Sequence, residues 1–383
     1  MPATVRQVMM NVTFAEVTLG DVILARGEIT ADRGWPTCSV FVTRRPVHTS
    51  GIHAGEPIGE ENDLTVVAGA GTNVTRFTGR ARRFRPSGFP KSVEILSMGT
   101  LAYADEWSPD LDYRFGWDDG PVWYGFFPDG GTDQELVQFA LDQVPNITYS
   151  AANIDGTGIT LGASIAKAAF DWKAGTSAWR YIQNIDRATL YRTYQAHDGT
   201  IRRVKMIGHP DNTPDFTLTN ADVLDGATGT RNTEQTRNAV EVRGYNYGGK
   251  NQVQATAYQS NSFQGDGSVP ATRHPEVFAS DLIESGFDRL GNPLAMGGLD
   301  AQDIADQIIL DVNKEFVEAS VPSWRDDLHG PGMTCLLDCL DRLAIGEPMW
   351  VARHSWEVGD NGWQATYGMT GGGLPQTNPA PPV

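Results

Sequence analysis

The stretch from Phe170 to Tyr245 decides the fold. It opens with Phe170-Asp171-Trp172 and reads as a helix through Ser177-Ala178-Trp179-Arg180-Tyr181-Ile182-Gln183-Asn184-Ile185. A strand follows at Tyr191-Arg-Thr-Tyr-Gln-Ala196, then a turn at His197-Asp198-Gly199, then a second strand at Ile201-Arg-Arg-Val-Lys-Met-Ile207. Asp-Gly between two alternating runs is a strong short-range hairpin signal. Beyond the polar break at 208–214 come Phe216-Thr-Leu218 and the strand Asn238-Ala-Val-Glu-Val-Arg-Gly-Tyr245.

Outward from this stretch, strands are expected at both ends. Val12–Phe14, Val22–Leu24, Cys38–Thr43, Leu64–Val67, Arg76–Arg85, Ser92–Leu96 and Thr100–Ala104 are short, β-branched runs bounded by turn residues. Such spacing predicts a small antiparallel barrel or sandwich over residues 1–105. The loop from Pro46 to Asp63 interrupts it and offers the core no apolar face. Near the other end, Met333–Leu337 precedes a long hairpin, Met349–Val358 and Trp363–Met369, turning at Gly359-Asp-Asn-Gly362. Alternation there puts Trp350, Ala352, His354 and Trp356 on one face, and Met349, Val351 and Arg353 on the other.

Helices are expected in between. Thr132-Asp-Gln-Glu135 is a capping-box start, with Leu136, Phe139, Ala140 and Val144 on one face before Pro145. The longest is read over Asp300–Glu318, with Ile304, Ile308, Val312 and Phe316 in one stripe and Pro322 as its stop. Residues 259–298 are loop-like, with a short amphipathic piece around Phe278–Phe287. The last residues, 371–383, are Gly- and Pro-rich and predict a disordered tail.

Composition narrows the function. The 383 residues imply two to three domains. Thirty Lys and Arg against 47 Asp and Glu leave a formal charge of −17, which repels both DNA and anionic membranes. Neither specific nucleic-acid binding nor stable membrane association is expected. No signal peptide or apolar spanning stretch is present, so synthesis in a cytoplasm is expected. Cys38, Cys335 and Cys339 are too few for a disulfide framework. Cys335 and Cys339 lack a second ligand pair at metal spacing, and neither metal nor cofactor is expected.

Catalytic motifs are not found. There is no nucleotide loop, no nucleophile elbow and no His-Glu-x-x-His helix, and the seven histidines are scattered. Trp107, Tyr113, Phe115, Trp117, Trp123, Tyr124, Phe126 and Phe127 mix with Glu106, Asp118 and Asp119. They either pack a loop-rich segment onto its neighbour or line a carbohydrate cleft; packing is the reading adopted. The cationic run Arg76, Arg80, Arg82, Arg83 and Arg85 stands out from the acidic background. On a regular strand Arg80 and Arg82 share one face, and Arg83 and Arg85 the other. An ion-paired interface with an acidic neighbouring subunit is expected from it, against a solvated edge strand.

In order, these elements resemble the baseplate hub, or tail-tip hub, family of phage tails, related to the N-terminal hub part of type VI secretion spikes. Phe77-Thr-Gly-Arg80 resembles the family's Phe/Tyr-x-Gly-Arg strand. Tyr194 with Asp198-Gly199 resembles its central hairpin, and His354, Gly362 and Thr366 its closing one. The resemblance implies an α+β, β-rich fold: two related small antiparallel β-barrels with an α+β region between and beside them. Domains are then 1–105, 106–226 and 227–370 with an insertion at 251–329. It also implies a non-enzymatic structural virion protein. This would be a homotrimer forming a pseudo-sixfold ring at the tail tip through which DNA passes. Its partners would be the distal-tail and tail-tube proteins, other tail-tip or baseplate proteins, and the tape-measure protein. A carbohydrate-active tail protein is the alternative. One continuous sandwich across both ends would contradict the two-barrel expectation.

Overall fold

Both ends of the chain alternate apolar and polar residues, and in the computed structural model they share one sheet. The structure describes residues 9–15, 17–31, 33–69, 74–87, 92–113, 131–156, 160–161, 171–189, 191–205, 214–231, 239–245, 252–258, 275–284, 317–325, 330–331, 333–339, 343, 345–359 and 362–371.

The first part gives β1 (Met9–Phe14), β2 (Val17–Leu19), β3 (Val22–Thr30), β4 (Thr37–Val42), β5 (Asp63–Gly69), β6 (Val74–Ser87) and β7 (Ser92–Met98). The middle gives α1 (Tyr103–Glu106), β8 (Gly131–Thr132), α2 (Asp133–Asp142), β9 (Thr160–Leu161) and α3 (Ala178–Thr189). These lead into the hairpin β10 (Tyr191–Gln195) and β11 (Ile201–Lys205). Then come β12 (Phe216–Thr219), β13 (Thr228–Arg231), β14 (Ala239–Tyr245), β15 (Gln252–Tyr258) and β16 (Pro275–Glu284). The last strands are β17 (Val317–Ser323), β18 (Thr334–Cys339), β19 (Ile345–Gly359) and β20 (Gly362–Gly371).

Thirteen strands join in the order β13-β17-β20-β19-β3-β4-β7-β6-β5-β1-β2, with β18 also on β19 and β12 parallel to β18. This large, mainly antiparallel sheet is not closed into a barrel, and it runs without a break from the first strands to the last. The expected separation into two barrels is therefore not what the pairing shows. The joint is β19. Along one edge it pairs first with β18, through Ile345–Trp350, and then with β3, through Arg353–Gly359. Ala352 falls in the register shift between the two. One apolar core follows from this continuity, with Phe14, Val40, Leu64, Phe77 and Ile95 clustering with Leu337, Met349, Val351, Val358 and Tyr367.

The middle elements form a second core around Trp172. Its indole stacks on Tyr181 at 5.0 Å and takes the edge of Trp107 at 5.3 Å. The capping box forms as expected: Glu135 N–H donates to Thr132 Oγ1 at 3.2 Å, and Thr132 N–H to Glu135 Oε2 at 2.8 Å. A cap of this kind is worth about 1 kcal/mol. Gly199 closes the β10–β11 hairpin at φ +91°, a conformation that only glycine adopts without strain. Arg203 locks the module. Wholly buried, it reaches Asp133 and Asp186 at 2.7 Å each, the Asp155 carbonyl at 2.6 Å and Thr189 Oγ1 at 2.7 Å.

Several expectations change. Thr100–Ala104 is helical rather than extended, because Leu101 and Ala104 bury together at i, i+3 and Gln195 Oε1 accepts from Leu101 N–H at 2.9 Å. Val317 and Glu318, read as the end of the long helix, begin strand β17, with Pro322 inside it; the rest of that helix, 300–316, lies outside the described residues. β14, grouped with the closing hairpin in the sequence reading, pairs instead with β15 and β16, and Phe278 falls in strand β16. The tail beyond Gly371 and the aromatic segment 114–130 also lie outside the described residues.

Candidate functional site

The β3–β19 joint dictates a polar surface. Trp356 pairs with Gly27, and a Cβ on Gly27 would stand 2.6 Å from the indole, so only glycine lets the two strands close over that ring. With Trp356 and Val358 held inward, the alternate residues face out. Arg26 and Glu28 of β3, Thr37 and Ser39 of β4, Arg353, Ser355 and Glu357 of β19, and Gln364 and Thr366 of β20 line a shallow cleft of about 430 Å³. Its charges are matched. Arg353 bonds Glu28, which also lies 3.9 Å from Arg33; Arg26 lies 3.5 Å from Glu94. Exposed pairs of this kind contribute under about 1 kcal/mol each, so they neutralise the face more than they stabilise it.

Strand β6 distributes the five arginines singled out by sequence among three environments. Arg76 is fully buried; its Nε donates to the Ala68 carbonyl at 2.8 Å and its guanidinium lies 4.3 Å from the Trp363 ring centre. Arg80 and Arg82 gather this chain's own carboxylates. Arg80 reaches Asp63 at 3.1 Å, and Arg82 reaches Glu61 at 2.9 Å and also Glu106. Tyr103 packs between them, its ring 4.8 Å from the Arg82 guanidinium carbon, and its hydroxyl bonds Glu61. Arg83 and Arg85 are exposed, Arg85 lying 3.8 Å from Glu94. The expected two-faced alternation fails at a register shift between Ala81 and Arg83, where Arg82 is the extra residue. Glu106, one of the carboxylates weighed for a glycan cleft, is thus an ion-pair partner. Trp107 and Tyr113 pack on Trp172, while Asp118 and Asp119 lie outside the described residues.

Two of the seven histidines, far apart in sequence, meet beside Arg76 of this strand. His197 of the hairpin turn and His354 of β19 share a 2.8 Å hydrogen bond between Nε2 and Nδ1, and both are buried. His354 stacks on Tyr367 at 4.8 Å. Burial, followed by the nearby positive Arg76, pushes His197 down to about 4. First part, middle module and closing hairpin are therefore fastened at one buried point. Cys335 is buried in β18, and burial pushes its thiol up to about 12. No group of three or more metal-ligating side chains occurs among the described residues.

The polar face was legible only in part. Arg26-x-Glu28 and Arg353-x-Ser355-x-Glu357 alternate as a solvated strand face should, but their proximity depends on a pairing between strands at opposite ends of the chain.

No protein-family model matches the chain, and no curated protein sequence matches it. Solved structures do. A tail protein from Neisseria meningitidis MC58 superposes with a TM-score of 0.62 at 11% identity, over 95% of this chain and 96% of the other. The 43 kDa tail protein of prophage MuSo2 from Shewanella oneidensis gives 0.59 at 11%, over 95% and 96%. A prophage tail protein from Listeria monocytogenes EGD-e gives 0.54 at 9%, over 94% of each. Along nearly its whole length the chain shares its fold with phage tail proteins, which supports the tail-tip hub resemblance read from its sequence.

Proposed function

We propose that this protein is a structural component of a phage tail, a tail-tip or baseplate hub that assembles as a homotrimeric ring around the path of the DNA. The observation that carries this reading is end-to-end fold similarity to tail proteins of nearly equal coverage on both sides. Each chain would supply two strand-rich halves, joined edge to edge at β3 and β19, so three chains set six halves around one axis. The charge-matched face across that joint suits a channel wall. Its arginines already have carboxylate partners and offer passing phosphates little net attraction. Arg83 and Arg85, both exposed although Arg85 lies 3.8 Å from Glu94, would then be the members of the arginine strand that meet an acidic neighbouring subunit, with Arg76, Arg80 and Arg82 engaged more fully within the chain. Tail-tube, distal-tail and tape-measure proteins would be its partners, and the protein would reside in the virion without catalysing a reaction. Electron microscopy of tail particles carrying a labelled chain tests this. Density for three copies at the tip is expected, and a label absent from the tail would overturn the reading.

A further inference from the structure

The segment between β4 and β5 is an ordered projection. Pro46 and Ile58 are buried at its root, and residues 47–57 between them stand almost entirely in solvent. Its backbone is bonded to itself: Ile58 N–H to Pro46 O at 3.0 Å, His48 N–H to Glu56 O at 2.9 Å, and Gly55 N–H to His48 O at 2.8 Å. Arg45 stacks on Phe84 at the root, 4.5 Å from the ring centre, which fastens the projection to β6 between Arg83 and Arg85. At its tip Ile52 is 93% exposed, the most exposed large apolar residue among those described, with Val47 also exposed on the stem. The backbone that carries this side chain is already held by its own hydrogen bonds, so binding would cost it less ordering.

We propose that this finger is the apolar anchor of the contact between copies of this chain, Ile52 seating in a neighbouring subunit. This rests on the ring reading and adds the element that makes the contact. Charge favours a second copy as the occupant. Arg83 and Arg85 stand exposed on either side of Phe84, which holds the root, and the carboxylate beside Arg85, Glu94, is shared with Arg26. The molecule bearing that local positive excess is acidic overall, at −17, so another copy presents the complementary surface. A threefold ring requires a head-to-tail contact, so the finger of one copy would seat on a different surface of the next.

The test uses the purified full-length chain, with mass in solution followed over a range of concentrations. Wild type is expected to be trimeric and Ile52→Leu to match it. Ile52→Asp is expected to weaken association roughly ten- to a hundredfold, the equivalent of exposing one aliphatic side chain. Its unfolding midpoint should stay unchanged, because a residue so exposed supports nothing within its own chain. A photo-crosslinking residue at position 52 should join copy to copy. Ile52→Asp assembling like a trimeric wild type overturns the finger alone. Crosslinks solely to a different protein or to added lipid vesicles also overturn it. A wild type that remains monomeric overturns it together with the ring reading.

Discussion

His197 and His354, 157 residues apart in sequence, are joined by a buried 2.8 Å hydrogen bond that ties the middle hairpin to the closing strand. Burial disfavours the protonated form of His197 and the positive Arg76 adds to the effect; Asp198 acts in the opposite sense but more weakly. With His197 held at about 4 in the fold against about 6.5 when unfolded, the unfolded chain binds more protons between those values. Stability contributed by this site is complete above about pH 6.5. It falls as pH drops towards 4, by about 3 kcal/mol in all. Denaturant unfolding of wild type and His197→Gln at pH 7 and pH 4.5 checks this: the variant should show a shallower loss. Parallel losses in the two proteins would contradict it.

Gly27→Ala places a methyl where the Trp356 ring lies. Overpacking of this kind costs about 1–3 kcal/mol. A lowered urea midpoint is expected, with a change in tryptophan emission from the joint; an unchanged midpoint would mean that the strands relax freely.

Arg203→Met should be among the most damaging single changes in the middle module. It leaves Asp133 and Asp186 buried without their shared cation, at a cost of about 3–5 kcal/mol. Loss of helical circular dichroism at a lower denaturant concentration is the measurement, and a shift below about 1 kcal/mol would show that water reaches the two carboxylates.

The arginine strand separates two effects. Arg82→Glu places a carboxylate beside Glu61 and Glu106, so the monomer itself should lose up to about 1 kcal/mol. Arg83→Glu should leave the monomer within about 0.5 kcal/mol of wild type while reducing trimer formation. Equal effects of the two changes on folding and assembly would remove the distinction.

What could be read in the sequence was what is local. The Asp198-Gly199 hairpin, the Thr132 capping box and the Met349–Met369 hairpin depend on neighbours in the chain, and each formed close to its expected bounds. Extra residues defeated the face assignments. Alternation from Met349 buries Met349 and Val351, but after Ala352 the buried set becomes His354, Trp356 and Val358. The same kind of slip at Arg82 returns Arg83 to the face that Arg80 occupies, against the expected alternation. Val317–Ser323 was missed because the apolar stripe before it continues smoothly at helical spacing, and nothing local announces its place between β13 and β20.

The shared edge of β19 also sets an order of events during synthesis. β3 leaves the ribosome early, yet the strand that covers its open edge is made more than three hundred residues later. Throughout that interval the nascent chain carries a nine-residue strand with one side unsatisfied, a template for pairing with the wrong chain. Arg26 and Glu28 sit on that strand, and charges at such positions deter mispairing. The residues that neutralise the finished face would thus have an earlier task, keeping the half-made molecule single until its closing strand arrives.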